Sequence, residues 1–513
     1  MNGQINSSDD SLGPRGRFTI VVSALLALFL GAMDALVMSA AAPTIIADLG
    51  GLSLYSWVYS AFFLARAVSL PIFGKLADLF DTKRLFLFSI GLFLAASIAA
   101  GASPSMEFLV VARVFQGIGT GGNFALVYIV LSEVALPGKR AKTLSFASSV
   151  WGIASIIGPT LGGFIVTWFS WRWIFYINVP LGLLSMVGIS VYLSELRKKK
   201  KKVVLDIAGA VCLTGSVLGI LVLFMTAGTR FDWISVETVL LVFATTGFAW
   251  GFYRAESRSS EPLLDLGFFR HPRFALGNGT IFFASFTIFT LFAYAPLFVQ
   301  GALNKTPLEV GMAMLSLSLG WSLGSLAIGR FMDHTGGRAI TIAGALFMLA
   351  GTGLTLNFSI ETSMAVLFSV FMVIGLGMGL ITLSTLVMVQ NALSLENLGV
   401  STSFHQFARS LGGTMGVGIC GGLITAGLLA HLEEAAVTLP EQLLDQLSEG
   451  IEHLLLPQVQ AMIPQAARET VQTAVLQGMT AIFSVAVASA VICLILALGS
   501  AVSRFDSGSI KRQ

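Results

Sequence analysis

Run after run of about twenty apolar residues is the feature that most restricts this chain: a segment of that length matches the hydrocarbon thickness of a bilayer, where only a helix satisfies its own backbone. Fourteen such runs can be read, beginning near residues 18, 55, 85, 107, 144, 173, 204, 236, 275, 308, 339, 364, 399 and 474. Charged residues make up 11% of the 513 and mean hydropathy is +0.85, whereas a soluble domain carries about 25% charged residues. The expectation is an all-α polytopic membrane protein with 14 transmembrane helices. A net charge of +3 with no basic face argues against a nucleic-acid partner. Cys212, Cys420 and Cys493 lie inside apolar runs and read as small buried hydrophobes, so neither a disulfide framework nor a metal site is expected.

With the amino terminus on the cytoplasmic side, most of the 30 Lys and Arg fall in cytoplasmic loops and tails, including Lys75, Lys83, Arg84, Lys139, Arg140, Lys142 and the run RKKKKK at 197–202. That asymmetry is what the positive-inside rule requires, and the basic run reads as an anchor against anionic lipid. The opening residues MNGQINSSDDSLGPRGR are polar and lack a cleavage signal, which predicts a cytoplasmic tail over 1–17.

A repeat organises the rest. GKLADLFDTKR (74–84) follows the second run and GRFMDHTGGR (329–338) the tenth, each with Gly, then Asp four residues later, then a basic end. Two equivalent hinges predict two pseudo-symmetric six-helix bundles, at 18–195 and 259–503, separated by a basic linker and inserted transmembrane hairpin over 196–258. Residues 504–513 form a second cytoplasmic tail, and 430–473 an acidic extracytoplasmic segment whose Leu443, Leu447, Ile451 and Leu454 recur at helical spacing.

Charges inside apolar runs carry the functional signal, because each costs roughly 3 kcal/mol at the bilayer centre on insertion scales. At 1.5 Å per helical residue, Asp34 lies about 24 Å from residue 18 and Arg66 about 18 Å back from Asp78, while Arg113 lies about 9 Å below residue 107. All three therefore share a layer, which predicts a common polar interior with Asp34 as counter-ion for Arg66 or Arg113. Such a pair can be purely structural. A carboxylate between desolvation and cations can also bind and release a proton. In STSFHQFARSLGGTMGVGICGG (401–422), His405 reads as a proton relay or a satisfied hydrogen-bonder, with Gln406 and Arg409 beside it.

Small residues mark close helix contacts. In ASIIGPTLGG (154–163), Ala154, Gly158 and Gly162 form one stripe with Gly163 beside it, and Pro159 bends the run. In RVFQGIGTGGNF (113–124), Gly117 and Gly121 are spaced for packing while Arg113 and Gln116 project from the same helix. The GxGxxG match there follows no strand and is not a phosphate loop. The runs offer no nucleophile with a neighbouring base and no Walker sequence, so an enzyme is not expected.

At these motifs the chain resembles the major facilitator superfamily, most closely its fourteen-span drug:proton antiporter branch. GKLADLFDTKR is similar to the family's cytoplasmic gate motif, RVFQGIGTGG to its span-four motif and GPTLGG to its antiporter motif; DALVMSAAAPTI (34–45) and WRWIFYINVPLG (171–182) are similar to signatures of the branch. The resemblance implies the major facilitator fold and a multidrug efflux transporter in the bacterial inner (plasma) membrane, with both termini cytoplasmic. It implies proton coupling at Asp34, modulated by Arg113. The residues themselves, apart from the resemblance, make His405 a further candidate proton site and Arg66, Gln116, Gln406 and Arg409 candidates to line the substrate cavity. Gly74, Asp78, Lys83, Arg84 and Glu133, with Asp333 and Arg338 in the repeat, would form the cytoplasmic gate, and Gly158, Pro159, Gly162 and Gly163 the antiporter motif. No cofactor is implied beyond a proton gradient; partners are an amphipathic small molecule, protons, membrane lipids and, as a further candidate, a periplasmic adaptor. The sequence departs from the family pattern at Asp81 for a glycine, Thr82 for a base, and Arg66 for an uncharged residue, and span thirteen lacks the acids of some cation exporters. Three functions follow for test: proton-coupled export of amphipathic molecules, transport of a lipid or lipid-like amphiphile on the same fold, and a non-transporting sensor or scaffold.

Overall fold

The computed structural model describes residues 13–49, 55–136, 139–193, 206–226, 231, 234–259, 262, 266–305, 307–335, 337–394, 397–434 and 468–502. These form helices α1 (Pro14–Leu49), α2 (Tyr55–Leu79), α3 (Thr82–Gly101), α4 (Met106–Val134), α5 (Arg140–Trp168), α6 (Trp173–Tyr176), α7 (Asn178–Tyr192), α8 (Ile207–Thr226), α9 (Val236–Arg258), α10 (Pro272–Leu297), α11 (Pro307–Thr335), α12 (Gly337–Thr355), α13 (Met364–Gln390), α14 (Leu398–Glu434) and α15 (Arg468–Val502). A helical segment stands at each of the fourteen expected runs, with α6 and α7 sharing one. Among the described residues, 10 helices are long and apolar enough to cross a membrane. The helix α2, which carries Arg66, Lys75 and Asp78, is not among those ten, so the count of fourteen crossings rests on sequence position.

Caps explain several boundaries. Asp81, where a glycine was expected, accepts the Arg84 N–H at 2.8 Å and starts α3; Ser105, Ser235 and Ser363 do the same for α4, α9 and α13. Pro296 removes a donor near the end of α10, and a π-turn over Phe298–Ala302 follows.

The chain divides into two compact units, the first Met1–Val203 with Glu396–Ser403, the second Val204–Leu395 with Phe404–Gln513. In the first, α4 is the central helix, packed against α1, α2 and α3, while α5 and α7 pack on α1. In the second, α13 packs against α10, α11 and α12, and α15 against α10 and α12. The α8–α9 hairpin, expected as a separate insertion, clusters with the second unit and packs mainly on itself. The basic run at 197–202, most of the acidic segment (435–467) and both outermost tails lie outside the described residues.

Glycine sets the tightest contacts in both units. A Cβ at Gly117 or Gly121 would fall on α2 main-chain oxygens of Phe62 and Arg66; one at Gly375 or Gly379 would fall on α11 oxygens of Leu317 and Trp321. Gly320 and Gly324 face α13 in the same way. Backbones touch where no side chain intervenes, which gains dispersion energy that lipid cannot supply. Gly375→Val is expected to lower the thermal midpoint in detergent by the equivalent of about 1–3 kcal/mol. Gly353→Ala, where a Cβ meets nothing within 4 Å, should leave it unchanged or raise it slightly.

Candidate functional site

The first unit holds a fully buried ionic network built by five helices. Asp34 of α1 is 2% exposed and Arg113 of α4 is 0% exposed, and Arg113 Nη1 donates to Asp34 Oδ2 at 2.5 Å. The same Nη1 donates to Gln116 Oε1 at 2.6 Å, and Arg113 Nε donates to the Val58 carbonyl of α2 at 3.3 Å. The other carboxylate oxygen, Asp34 Oδ1, accepts from Gln116 Nε2 at 2.8 Å and from Asn178 Nδ2 of α7 at 3.2 Å. Both amides also donate to Ser97 Oγ of α3, at 2.9 and 3.4 Å.

Spacing along the helix explains the assembly. Arg113 and Gln116 are three residues apart on α4 and therefore share a face. Gly117 beside them admits the α2 backbone, which brings the Val58 carbonyl within reach. Gly31, a turn before Asp34, lies against Thr120 and Phe124 of α4 in the same fashion.

Of the two expected partners, Asp34 takes Arg113. Arg66 of α2 is 4% exposed, and its guanidinium carbon lies 4.6 Å from the Phe63 ring centre, 5.3 Å from Phe124 and 5.9 Å from Phe62. The Arg113 guanidinium carbon lies 4.0 Å from the same Phe62 ring, so both cations lie beside one aromatic side chain.

The gate residues divide. Asp78 Oδ1 and Oδ2 accept the Gly399 and Val400 N–H groups, each at 3.0 Å, at the start of α14. A carboxylate there satisfies two of the four unpaired donors of a helix end and meets the positive end of its dipole. Gly74 lies against Gly399 O and Ser403, where a Cβ would collide. Arg84 is exposed and Lys83 half-buried at the start of α3; Glu133 is half-buried near the end of α4; Arg338 is exposed on α12. Gly158 and Gly162 are buried on α5, whereas the side-chain placements of Asp333, Pro159 and Gly163 lie outside what is described.

In the second unit His405, Gln406 and Arg409 come together on α14. His405 Nε2 lies 2.9 Å from Thr385 Oγ1 of α13, and that hydroxyl donates to the Ile381 carbonyl at 2.6 Å. The Thr oxygen therefore accepts, which places the imidazole proton on Nε2 and leaves Nδ1 as the basic atom. Arg409 Nη1 donates to Gln406 Oε1 at 3.3 Å, and its guanidinium carbon lies 5.2 Å from the Trp321 ring centre.

Sequence reading missed Ser97, Asn178 and Trp321. Asn178 carried the clearest signal, an amide within the apolar run IFYINVPLG, where an uncompensated polar group is costly. It also missed a polar cluster at the far end of α1, where Asp48 Oδ2 accepts from Arg172 Nη1 at 2.7 Å and Trp171 Nε1 at 2.9 Å. The Arg172 hydrogen bond, then that of Trp171, holds the Asp48 carboxyl below its ordinary range.

Two outcomes follow. Arg113→Ala should destabilise the protein by about 3–5 kcal/mol, because it strands a buried carboxylate, and Asp34→Asn in the same chain should recover part of the loss in a denaturation series. A carboxyl with a lowered folded-state value contributes above its unfolded value and loses that contribution as pH falls through the folded one. Trp171 should therefore become more open to acrylamide quenching below about pH 4 in the wild type, and Asp48→Asn should show that openness already at neutral pH.

Comparison with known proteins places this geometry in a family. The family model described as Major Facilitator Superfamily matches residues 24–417, and the chain belongs to that superfamily of membrane transporters. The multidrug transporter protein MdtP of Bacillus subtilis (strain 168) is 33% identical over 416 residues, 81% of this chain and 76% of that protein. Multidrug resistance protein 3 of the same organism is 30% identical over 417 residues, 81% of each. The multidrug resistance protein Stp of Mycobacterium tuberculosis (strain ATCC 25618 / H37Rv) is 29% identical over 434 residues, 83% of this chain and 80% of that protein. Among solved structures, the human organic anion transporter MFSD10 superposes with a TM-score of 0.58 at 15% identity, covering 93% of this chain and all of that one, a likeness of fold.

Proposed function

With that membership as the premise, we propose that the chain is a proton-coupled secondary exporter of amphipathic small molecules, working by alternating access in the bacterial inner membrane with both termini cytoplasmic. The observation that carries the reading is the fully buried Asp34 carboxylate, held between Arg113 on one oxygen and two amide donors on the other. A carboxylate in that position exchanges a proton only by rearranging its donors, which ties protonation to the packing of α1 against α3, α4 and α7. The multidrug names of the relatives support a drug as the cargo. The proton gradient supplies the energy, and no cofactor is required. His405 is a second candidate proton site, since its Nδ1 is the free basic atom of a buried imidazole. Asp78, by accepting from the first turn of α14, is the candidate cytoplasmic latch. A periplasmic adaptor is a partner to be sought by cross-linking.

A second reading, transport of a lipid-like anionic amphiphile, is favoured by two buried arginines set against aromatic rings, Arg66 at Phe63 and Arg409 at Trp321. Their shared pattern presents positive charge beside an apolar face, which suits an anion on a greasy body.

The test is a pH-jump uptake assay in proteoliposomes with cationic, neutral and anionic amphiphiles and a labelled phospholipid. Wild type is expected to move amphiphiles against the proton gradient, and Asp34→Asn to lose at least tenfold of that flux while still binding them. Undiminished gradient-driven flux in Asp34→Asn overturns the proposal. Arg66→Ala should leave the order of preference unchanged if the cargo is cationic or neutral, and should remove anion or lipid transport selectively if the second reading holds.

A further inference from the structure

The donors around Asp34 are not equivalent, and the difference concerns what happens when the carboxyl is protonated. Asp34 Oδ2 faces the Arg113 guanidinium, which can only donate, so the proton adds at Oδ1. There it meets two amide NH2 groups, from Gln116 and Asn178. A carboxyl O–H pointing at two donors has no acceptor, and a buried hydroxyl without one is strongly disfavoured.

Gln116 cannot resolve this. Its Oε1 accepts from Arg113 Nη1 at 2.6 Å, and rotating its amide would set NH2 against a guanidinium. Asn178 is under no such restraint: it is fully buried, and among the described residues its Oδ1 finds no donor. Half a turn about the last side-chain bond exchanges Nδ2 and Oδ1. It places the carbonyl where the amide nitrogen now lies, 3.2 Å from Asp34 Oδ1 and 3.4 Å from Ser97 Oγ, and both hydroxyls can then donate to it. No other hydrogen bond around the carboxylate is broken.

We propose that Asn178 is the positioning residue that reads the protonation of Asp34, donating to the carboxylate and, after its amide turns, accepting from the carboxylic acid. The inference rests on the proton-coupled reading above. One proton from water forms one O–H bond at Asp34 Oδ1, and the amide rotates without exchanging a proton. Arg113 is the charged group in contact with the carboxylate. Arg66 on α2 has its guanidinium carbon 5.9 Å from the Phe62 ring centre, α5 has its cations Arg140 and Lys142 in its first turn, α3 has Lys83 and Arg84 in its first turn, and α6 and α7 carry no Asp, Glu, Lys, Arg or His. The consequence reaches the backbone, since Asn178 opens α7 directly after the short helix α6, and its side chain joins that junction to α1 and α3.

The test is pH-dependent infrared difference spectroscopy on the purified full-length protein in lipid nanodiscs, with the Asp34 carboxyl band identified by its loss in Asp34→Asn. In Asn178→Leu, which keeps the volume and removes both polar atoms, the band should titrate about one pH unit less acidic than in the wild type, because the charge-assisted donor bond lost by the carboxylate outweighs the acceptor lost by the acid. Asn178→Gln, which keeps the amide, should return the midpoint toward the wild-type value. In the unaltered protein, an asparagine side-chain carbonyl band, identified by isotope labelling, should change with the same midpoint as Asp34. An unmoved midpoint in Asn178→Leu overturns the proposal. A labelled asparagine band that stays constant while Asp34 titrates overturns it as well, and that measurement needs no variant to fold. If Asp34 titrates and Asn178 is indifferent, this inference alone falls; if Asp34 never titrates, the proton-coupled reading falls with it.

Discussion

One buried carboxylate organises the first unit. A charge of that kind is tolerated in a membrane interior only where other groups replace water around it, and the replacements for Asp34 come from three helices: the guanidinium and an amide from α4, a second amide from α7, and α3 through the hydroxyl that both amides share. The requirement acts in reverse on the fold. Once Asp34 is inside, α1 must lie where α3, α4 and α7 can all reach it, and the glycines of α4 exist where side chains would hold those helices apart. An apolar residue at 34 would free the packing from this restraint.

Arg66 shows a different solution to the same problem. Its guanidinium lies among Phe62, Phe63 and Phe124, whose ring faces supply electrostatic stabilisation. Arg409 repeats the arrangement at Trp321 in the second unit. Each unit thus carries a buried arginine beside aromatic faces, and the first unit holds the Asp34–Arg113 ion pair as well.

What sequence could disclose follows from the physics of each signal. Helix positions were legible from α1 to α15 because hydropathy is a sum over many residues and tolerates local error. That Asp34, Arg66 and Arg113 lie near one another was legible too, because rise per residue is fixed. The choice of Arg113 over Arg66 was not, since it depends on helix rotation, which depth does not encode. Asn178 escaped because an uncharged amide hardly lowers the hydropathy of its run. The partner of Asp78 escaped for another reason, being main-chain N–H groups some 321 residues away that carry no side-chain signature. Where fourteen runs were expected to cross, ten helices meet the apolar standard among the described residues, those of Asp34 and Arg113 included.

The glycine contacts between α2 and α4, and between α11 and α13, have a mechanical corollary. Main chain pressed on main chain leaves no rotamers to rearrange, so each pair is stiff and must travel as a single strut. Whatever flexing the transporter undergoes is then delegated to segments outside the struts, such as the α6–α7 junction and the π-turn that follows Pro296, where the helical ladder is already interrupted. Compliance in this molecule is therefore localised by where side chains have been deleted as much as by where backbone regularity is broken.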